Sequence, residues 1–143
     1  RATFGLLAEY GFEYDSSQFG ADRSYWVQDN GKRTNLVEVP IAVELIDSCH
    51  FMFNVYPVPF PGLSAPSKVE EIWRGDFDGA YEEGGDSCYN LTMHSQIIGR
   101  HHRLQMVERL ICYMLEHDGV WFAKLADVAD DFRKRQNAGG LAE

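Results

Sequence analysis

Apolar positions recur at two different spacings along the chain, and the switches between them mark the elements. Val69, Ile72, Trp73, Phe77 and Tyr81 fall at helical spacing. They predict a helix opened by Ser67 as N-cap with Glu70 three residues on, and closed near Gly84-Gly85. Residues 102–117 predict a second helix with Leu104, Val107, Leu110, Ile111, Met114 and Leu115 inward, stopped by Gly119. A third covers Leu125–Arg135, with Leu125, Val128 and Phe132 inward. The short apolar runs Cys88–His94 and Val120–Ala123 between them predict strands. Helix, strand, helix, strand, helix is the order of parallel strands joined by right-handed crossovers.

The first third is less regular. Ala2–Tyr10 predicts a short helix with Phe4, Leu7 and Tyr10 on one face and Gly11 as its C-terminal cap. Phe12-Glu13-Tyr14 alternates like a strand and ends in the turn Asp15-Ser16-Ser17. Residues 18–34 are polar and predict a long loop. Leu36–Ile41 predicts a strand with Pro40 at its end. Val43–Asp47 either continues it or opens a short helix. Pro57, Pro59 and Pro61 impose an extended loop after the apolar run Phe51–Val58. We expect one α/β domain over residues 1–135 and a flexible tail over 136–143. The chain opens without an initiator Met, inside a helix, and we take it as part of a longer domain.

Composition narrows the function classes. Of 143 residues 45% are hydrophobic, enough for a sizeable core, and the net charge is −9. That charge argues against nucleic acid and anionic membrane surfaces as partners. No apolar run is long enough to span a bilayer, and no signal peptide is visible. Three widely spaced cysteines, Cys49, Cys88 and Cys112, give no disulfide framework and no zinc-type pair. We therefore expect a reducing, cytoplasmic setting. Cys112 lies among Leu110, Ile111 and Met114, so we expect it buried.

Candidate chemistry concentrates at strand ends, because parallel α/β folds bind ligands beyond the C-terminal ends of their strands. Asp15 and His94 occupy such positions. His94 closes an apolar run and precedes Ser95-Gln96-Ile97-Ile98-Gly99-Arg100, a loop with a glycine hinge. An imidazole exchanges protons near neutral pH, as hydrolysis of an amide or ester requires at the leaving group. A core histidine held by one hydrogen bond would show the same spacing. His101 and His102 are expected to face solvent, and His117 suits a helix C-terminus. No His-x-x-x-His occurs, and the one Asp-Asp pair, Asp130-Asp131, lies inside the last predicted helix, so this chain offers no metal ligands of its own. Nucleophile-elbow and phosphate-binding glycine patterns are also absent.

Gly11-Phe12-Glu13-Tyr14-Asp15-Ser16-Ser17, Leu91-Thr92-Met93-His94, Gly99-Arg100 with Arg103, and Gly119-Val120-Trp121-Phe122-Ala123 together resemble the polysaccharide deacetylase superfamily. The branch they resemble is the cytoplasmic one containing peptidoglycan-deacetylase-like, allantoinase-like and cyclic-imide-hydrolase-like proteins. The resemblance covers residues 2–135 and implies the C-terminal half of a deformed (β/α) barrel. In that family an Asp acts as base on a water held by a divalent metal, expected to be zinc, on one Asp and two His. A late histidine in a Leu-x-His motif serves as general acid. Leu91-Thr92-Met93-His94 matches that motif, so His94 inherits the role. Ser95 stands where the family commonly has Pro, and Asp22-Arg23-Ser24-Tyr25 resembles a family Asp-x-Pro-Tyr segment with Ser24 in place of Pro.

The metal and base motifs of the family precede the region matched here. The resemblance therefore implies a metal-dependent hydrolase of C–N bonds that is active only with an N-terminal half, supplied as a companion chain or segment. Its substrate would be an N-acetyl sugar or a small amide, cyclic imide or ureide. Exposed strand edges of a half-barrel also imply an oligomer. The alternative is a non-catalytic structural or regulatory subunit of an oligomeric assembly. Asp22, Tyr25, Arg100 and Trp121 are candidate substrate contacts beside the catalytic His94. A solvated loop would equally account for Asp22 and Tyr25, and aromatic packing for Trp121; Arg100 and Arg103 are expected to fix the His94 loop or bridge subunits, with surface ion pairs as the alternative.

Overall fold

The computed structural model describes residues 3–54, 56–57 and 60–138. They fall into two compact units, one built from residues up to 40, 86–88 and from 122 on, the other from residues 41–85 and 89–121.

In the first unit α1 (Thr3–Glu9) is followed by β1 (Tyr14–Asp15), β2 (Tyr25–Asp29) and β3 (Lys32–Glu38), and α6 (Leu125–Ala138) returns at the end. Gly11 has φ +76°, the left-handed conformation that lets the chain leave α1 and turn into β1. The sheet order is β1-β3-β2, with β1 parallel to β3 and β2 antiparallel to it. The long loop expected over 18–34 is thus half hairpin. Its turn is Asn30-Gly31, with φ +49° and +76°, the Asn-Gly pair that fits the twist of a two-residue hairpin. The ladder slips between Trp26 and Gln28. Thr34 fills the slip: its hydroxyl donates to the Val27 carbonyl at 2.8 Å and accepts from Leu36 N–H at 3.1 Å. Val37, Val39, Ala129 and Phe132 form the core, with Trp26 edge-on to Phe132 at 5.3 Å.

In the second unit a 3₁₀ turn (Val43–Leu45) leads into α2 (Asp47–Phe51), and β4 (Phe53–Asn54) pairs with β5 (Phe60–Pro61). Then follow α3 (Pro66–Glu83), the single turn α4 (Ser95–Ile98) and α5 (His101–Leu115). Helix α3 starts two residues earlier than expected, with Ala65 rather than Ser67 as N-cap, and without the capping box. Pro66 takes the first helical position, where its missing N–H costs nothing. Glu70 instead binds Arg109 at 2.6 Å and Arg74 at 3.2 Å, joining α3 to α5. Val69, Trp73 and Phe77 of α3 pack with Met106, Val107, Leu110 and Met114 of α5.

Several expectations about facing are corrected. Leu104, Ile111 and Leu115 are exposed while Met106 is buried. Cys112 is exposed too, because it shares the outward face of α5 with Ile111 and Leu115. His101 and His102 face solvent as expected. The runs Cys88–His94 and Val120–Ala123 are not ladder strands among the described residues. Within the first, Thr92 makes an isolated bridge to Ile46, and Ser87 just before it makes one to Arg23. An apolar run specifies an extended segment, but a strand also needs a neighbour to hydrogen-bond. Helix α6 runs to Ala138, past the expected start of the tail, and residues 139–143 lie outside the described residues.

Candidate active site

The segment after β3 delivers a carboxylate to His94. Trp73 Nε1–H donates to the Glu44 carbonyl at 2.8 Å, and His50 Nε2 meets the same oxygen at 2.7 Å. These contacts fix the 3₁₀ turn. The chain then bridges to the His94 segment: Thr92 N–H donates to Leu45 O at 2.9 Å and Asp47 N–H to Thr92 O at 3.0 Å. Asp47 follows at once as the first residue of α2, with no exposed surface.

Its two oxygens both go to His94. Asp47 Oδ2 accepts from the His94 backbone N–H at 2.8 Å, and Oδ1 lies 2.6 Å from Nδ1 of the ring. A buried carboxylate accepts, so the hydrogen of this pair sits on Nδ1 and the opposite nitrogen, Nε2, is the one left to exchange protons. The ring side chain is 49% exposed while Asp47 is 0%. An oriented imidazole with one edge in the protein and one in solvent can serve as acid or base toward a bound molecule.

Asp47 was not singled out from sequence. It lies where the pattern left strand and helix undecided, and the usable signal was an acid directly after apolar Leu45-Ile46. The other candidates divide between the units. Asp22 and Tyr25 belong to the first. Asp22 is exposed, and its carbonyl accepts Cys88 N–H at 2.9 Å. Tyr25 opens β2 opposite Glu38. Burial first, then the negative charge of Glu38, push its hydroxyl above the ordinary tyrosine range. Arg100 and Trp121 belong to the second unit. Arg100 is exposed at the N-terminus of α5, its carbonyl accepting Arg103 N–H at 2.8 Å, and Trp121 is exposed outside regular structure. Neither hydrogen-bonds His94 among the described residues.

Two further groups are defined by burial. Glu38 in β3 has no exposed surface and accepts Ser17 N–H and Gln18 N–H at 2.9 Å each and the Gln18 side-chain amide at 3.2 Å. Burial pushes its carboxyl up, the backbone bonds pull it back, and Asp15 pushes it up again. Burial also pushes up the Cys88 thiol, which disfavours the reactive thiolate. Among the described residues, no group of three His, Cys, Asp or Glu side chains could hold a metal ion. The divalent metal implied by the family therefore finds no set of ligands in them. No helix among the described residues is long and apolar enough to cross a membrane.

The fold of this chain is α/β, and the proteins it is similar to are polysaccharide deacetylases and an allantoinase. No protein-family model matches it. A Mycobacterium smegmatis protein assigned to the polysaccharide deacetylases superposes with TM-score 0.83 at 29% identity, over 94% of this chain and 46% of its own. Puue allantoinase superposes with TM-score 0.77 at 26% identity, over 93% and 43%. Peptidoglycan deacetylase of Helicobacter pylori is 27% identical over 91% of this chain and 52% of its own length. The chain thus resembles one part of the polysaccharide deacetylase fold, and spans about half the length of these relatives.

Proposed function

We propose that this chain is the C-terminal portion of a C–N bond hydrolase of the polysaccharide deacetylase type, with His94 as general acid and Asp47 as the group that orients it. The observation that carries this is the two-point grip of buried Asp47 on the backbone and ring of half-exposed His94. Amide hydrolysis needs a proton on the departing nitrogen, since an amide anion is a poor leaving group. The protonated ring supplies it from Nε2 as the carbon–nitrogen bond breaks and the electron pair moves to nitrogen. The products are a carboxylic acid and an amine. A positioned acid of this kind contributes about 10²–10⁴ in rate.

The base and the metal ligands belong, on this proposal, to the N-terminal half, in cis or as a companion chain. Asp22, Tyr25, Arg100 and Trp121 are its candidate substrate contacts. An N-acetyl sugar is the first substrate to test and a small cyclic imide or ureide the second. The similarity to a peptidoglycan deacetylase and to an allantoinase supports both choices. The experiment is to complete the barrel by adding the first half, then measure acetate release from an N-acetylated oligosaccharide and ring opening of a cyclic ureide. Turnover should fall about 10²–10⁴-fold in His94→Ala. Unchanged turnover in that variant would remove the assignment. No turnover on any amide, with no metal in the assembled particle, would favour a structural subunit.

A further inference from the structure

We infer that Arg103 is the positioning residue of the Asp47–His94 pair, clamping α4 to α2 at the end of each helix away from that pair. This rests on reading His94 as the acid. His94 is the N-cap of α4, and its carbonyl accepts both Ile97 N–H and Ile98 N–H at 2.8 Å. A four-residue helix has no stability of its own, so its anchors decide where it sits. At the His94 end the anchor is Asp47. At the other end the Arg103 guanidinium donates from Nη1 to the Ile97 carbonyl at 2.6 Å, an oxygen the helix itself cannot satisfy. The same guanidinium lies 4.5 Å from the ring centre of Phe51. Phe51 is buried and is the last residue of α2, the helix that begins with Asp47. Nε of Arg103 is buried without a protein partner among the described residues, so the side chain is inserted rather than waving in solvent. One cation therefore ties the element carrying the acid to the element carrying its orienting carboxylate.

Proton NMR and amide exchange on the 143-residue chain test this without needing turnover. The wild type should show a slowly exchanging Nδ1–H signal that vanishes in His94→Ala and in Asp47→Asn. Arg103→Met should broaden that signal and speed His94 N–H exchange about ten- to hundredfold, the size of one lost charge-assisted hydrogen bond. Leu110 N–H in the core of α5 should keep its rate. Arg103→Lys, which retains a cation without the planar fork, should fall between. A wild-type signal and exchange rate in Arg103→Met, or equal acceleration at Leu110, would overturn the clamp alone. If Arg103→Met does not fold, Arg103→Lys decides it, and wild-type exchange there overturns it. Insensitivity of the ring signal to Asp47→Asn would overturn the pair and, with it, the clamp.

Discussion

Asp47 and Glu38 are both carboxylates without exposed surface, one in each unit. Glu38 spends its oxygens on the backbone of Ser17 and Gln18 and on the Gln18 amide, all in the turn after β1. Asp47 spends one oxygen on backbone and the other on an imidazole whose far edge is open. A buried acid whose partners are amides fixes the shape of a loop and stops there. A buried acid whose partner can itself exchange protons passes its rigidity to a group that reaches solvent. Burial alone does not separate the two; the chemistry and exposure of the partner do.

The largest expected effect separates them by function. On the proposed function, with the barrel completed, His94→Ala should cost about 10²–10⁴ in turnover. Asp47→Ala should cost part of the same factor, and the double variant should be no worse than His94→Ala alone, because the two act as one unit. Additive losses in steady-state kinetics would mean that Asp47 acts on its own. In stability the order reverses. Asp47→Ala strands a part-buried backbone N–H and should cost about 1–3 kcal/mol by chemical denaturation, while His94→Ala should cost less.

Glu38 gives the comparison a pH axis. Its folded carboxyl lies above the ordinary value of 4.5, chiefly because burial penalises the charge. A raised folded value means that the native state holds the proton more tightly than the unfolded chain. The contribution is fully present below the unfolded value and is lost as pH rises through the folded one. Wild-type stability should therefore fall relative to Glu38→Gln as pH rises from about 4.5, with a slope approaching about 1.4 kcal/mol per unit between the two values. Denaturation midpoints at a series of pH values measure it. A constant difference between the two proteins would show that Glu38 ionises in the fold without penalty.

What the sequence disclosed follows the same division. Helices α3, α5 and α6 were legible because their cores repeat at 3.6 residues, and His94 stood out as a candidate because it closes an apolar run. Asp47 was not, since its partner lies 47 residues away and no local pattern encodes that contact. The outward face of α5 was misread because Leu104, Ile111 and Leu115 are apolar yet exposed. The strands expected at Cys88–His94 and Val120–Ala123 need ladder neighbours, and this chain covers less than half of the structures it resembles. The β2–β3 hairpin was missed although Asn30-Gly31 is a strong turn signal. The polar residues around that pair outweighed it.

That turn carries the smallest and sharpest test. Gly31 has φ +76°, and a Cβ added there meets nothing within 4 Å. Gly31→Ala is therefore a purely conformational perturbation, expected to cost about 1–2 kcal/mol, while Gly31→Asn should cost less because Asn tolerates the left-handed region. The turn sets the register that places Glu38 opposite Tyr25, with Thr34 absorbing the slip between. If hairpin register is what holds Glu38 in its buried place, loosening the turn should also shrink the pH dependence assigned to that carboxyl. The His94 ring signal should stay unchanged, since the contacts that hold it lie in other elements. A shift of that signal in Gly31→Ala would show that the two buried acids are not independent.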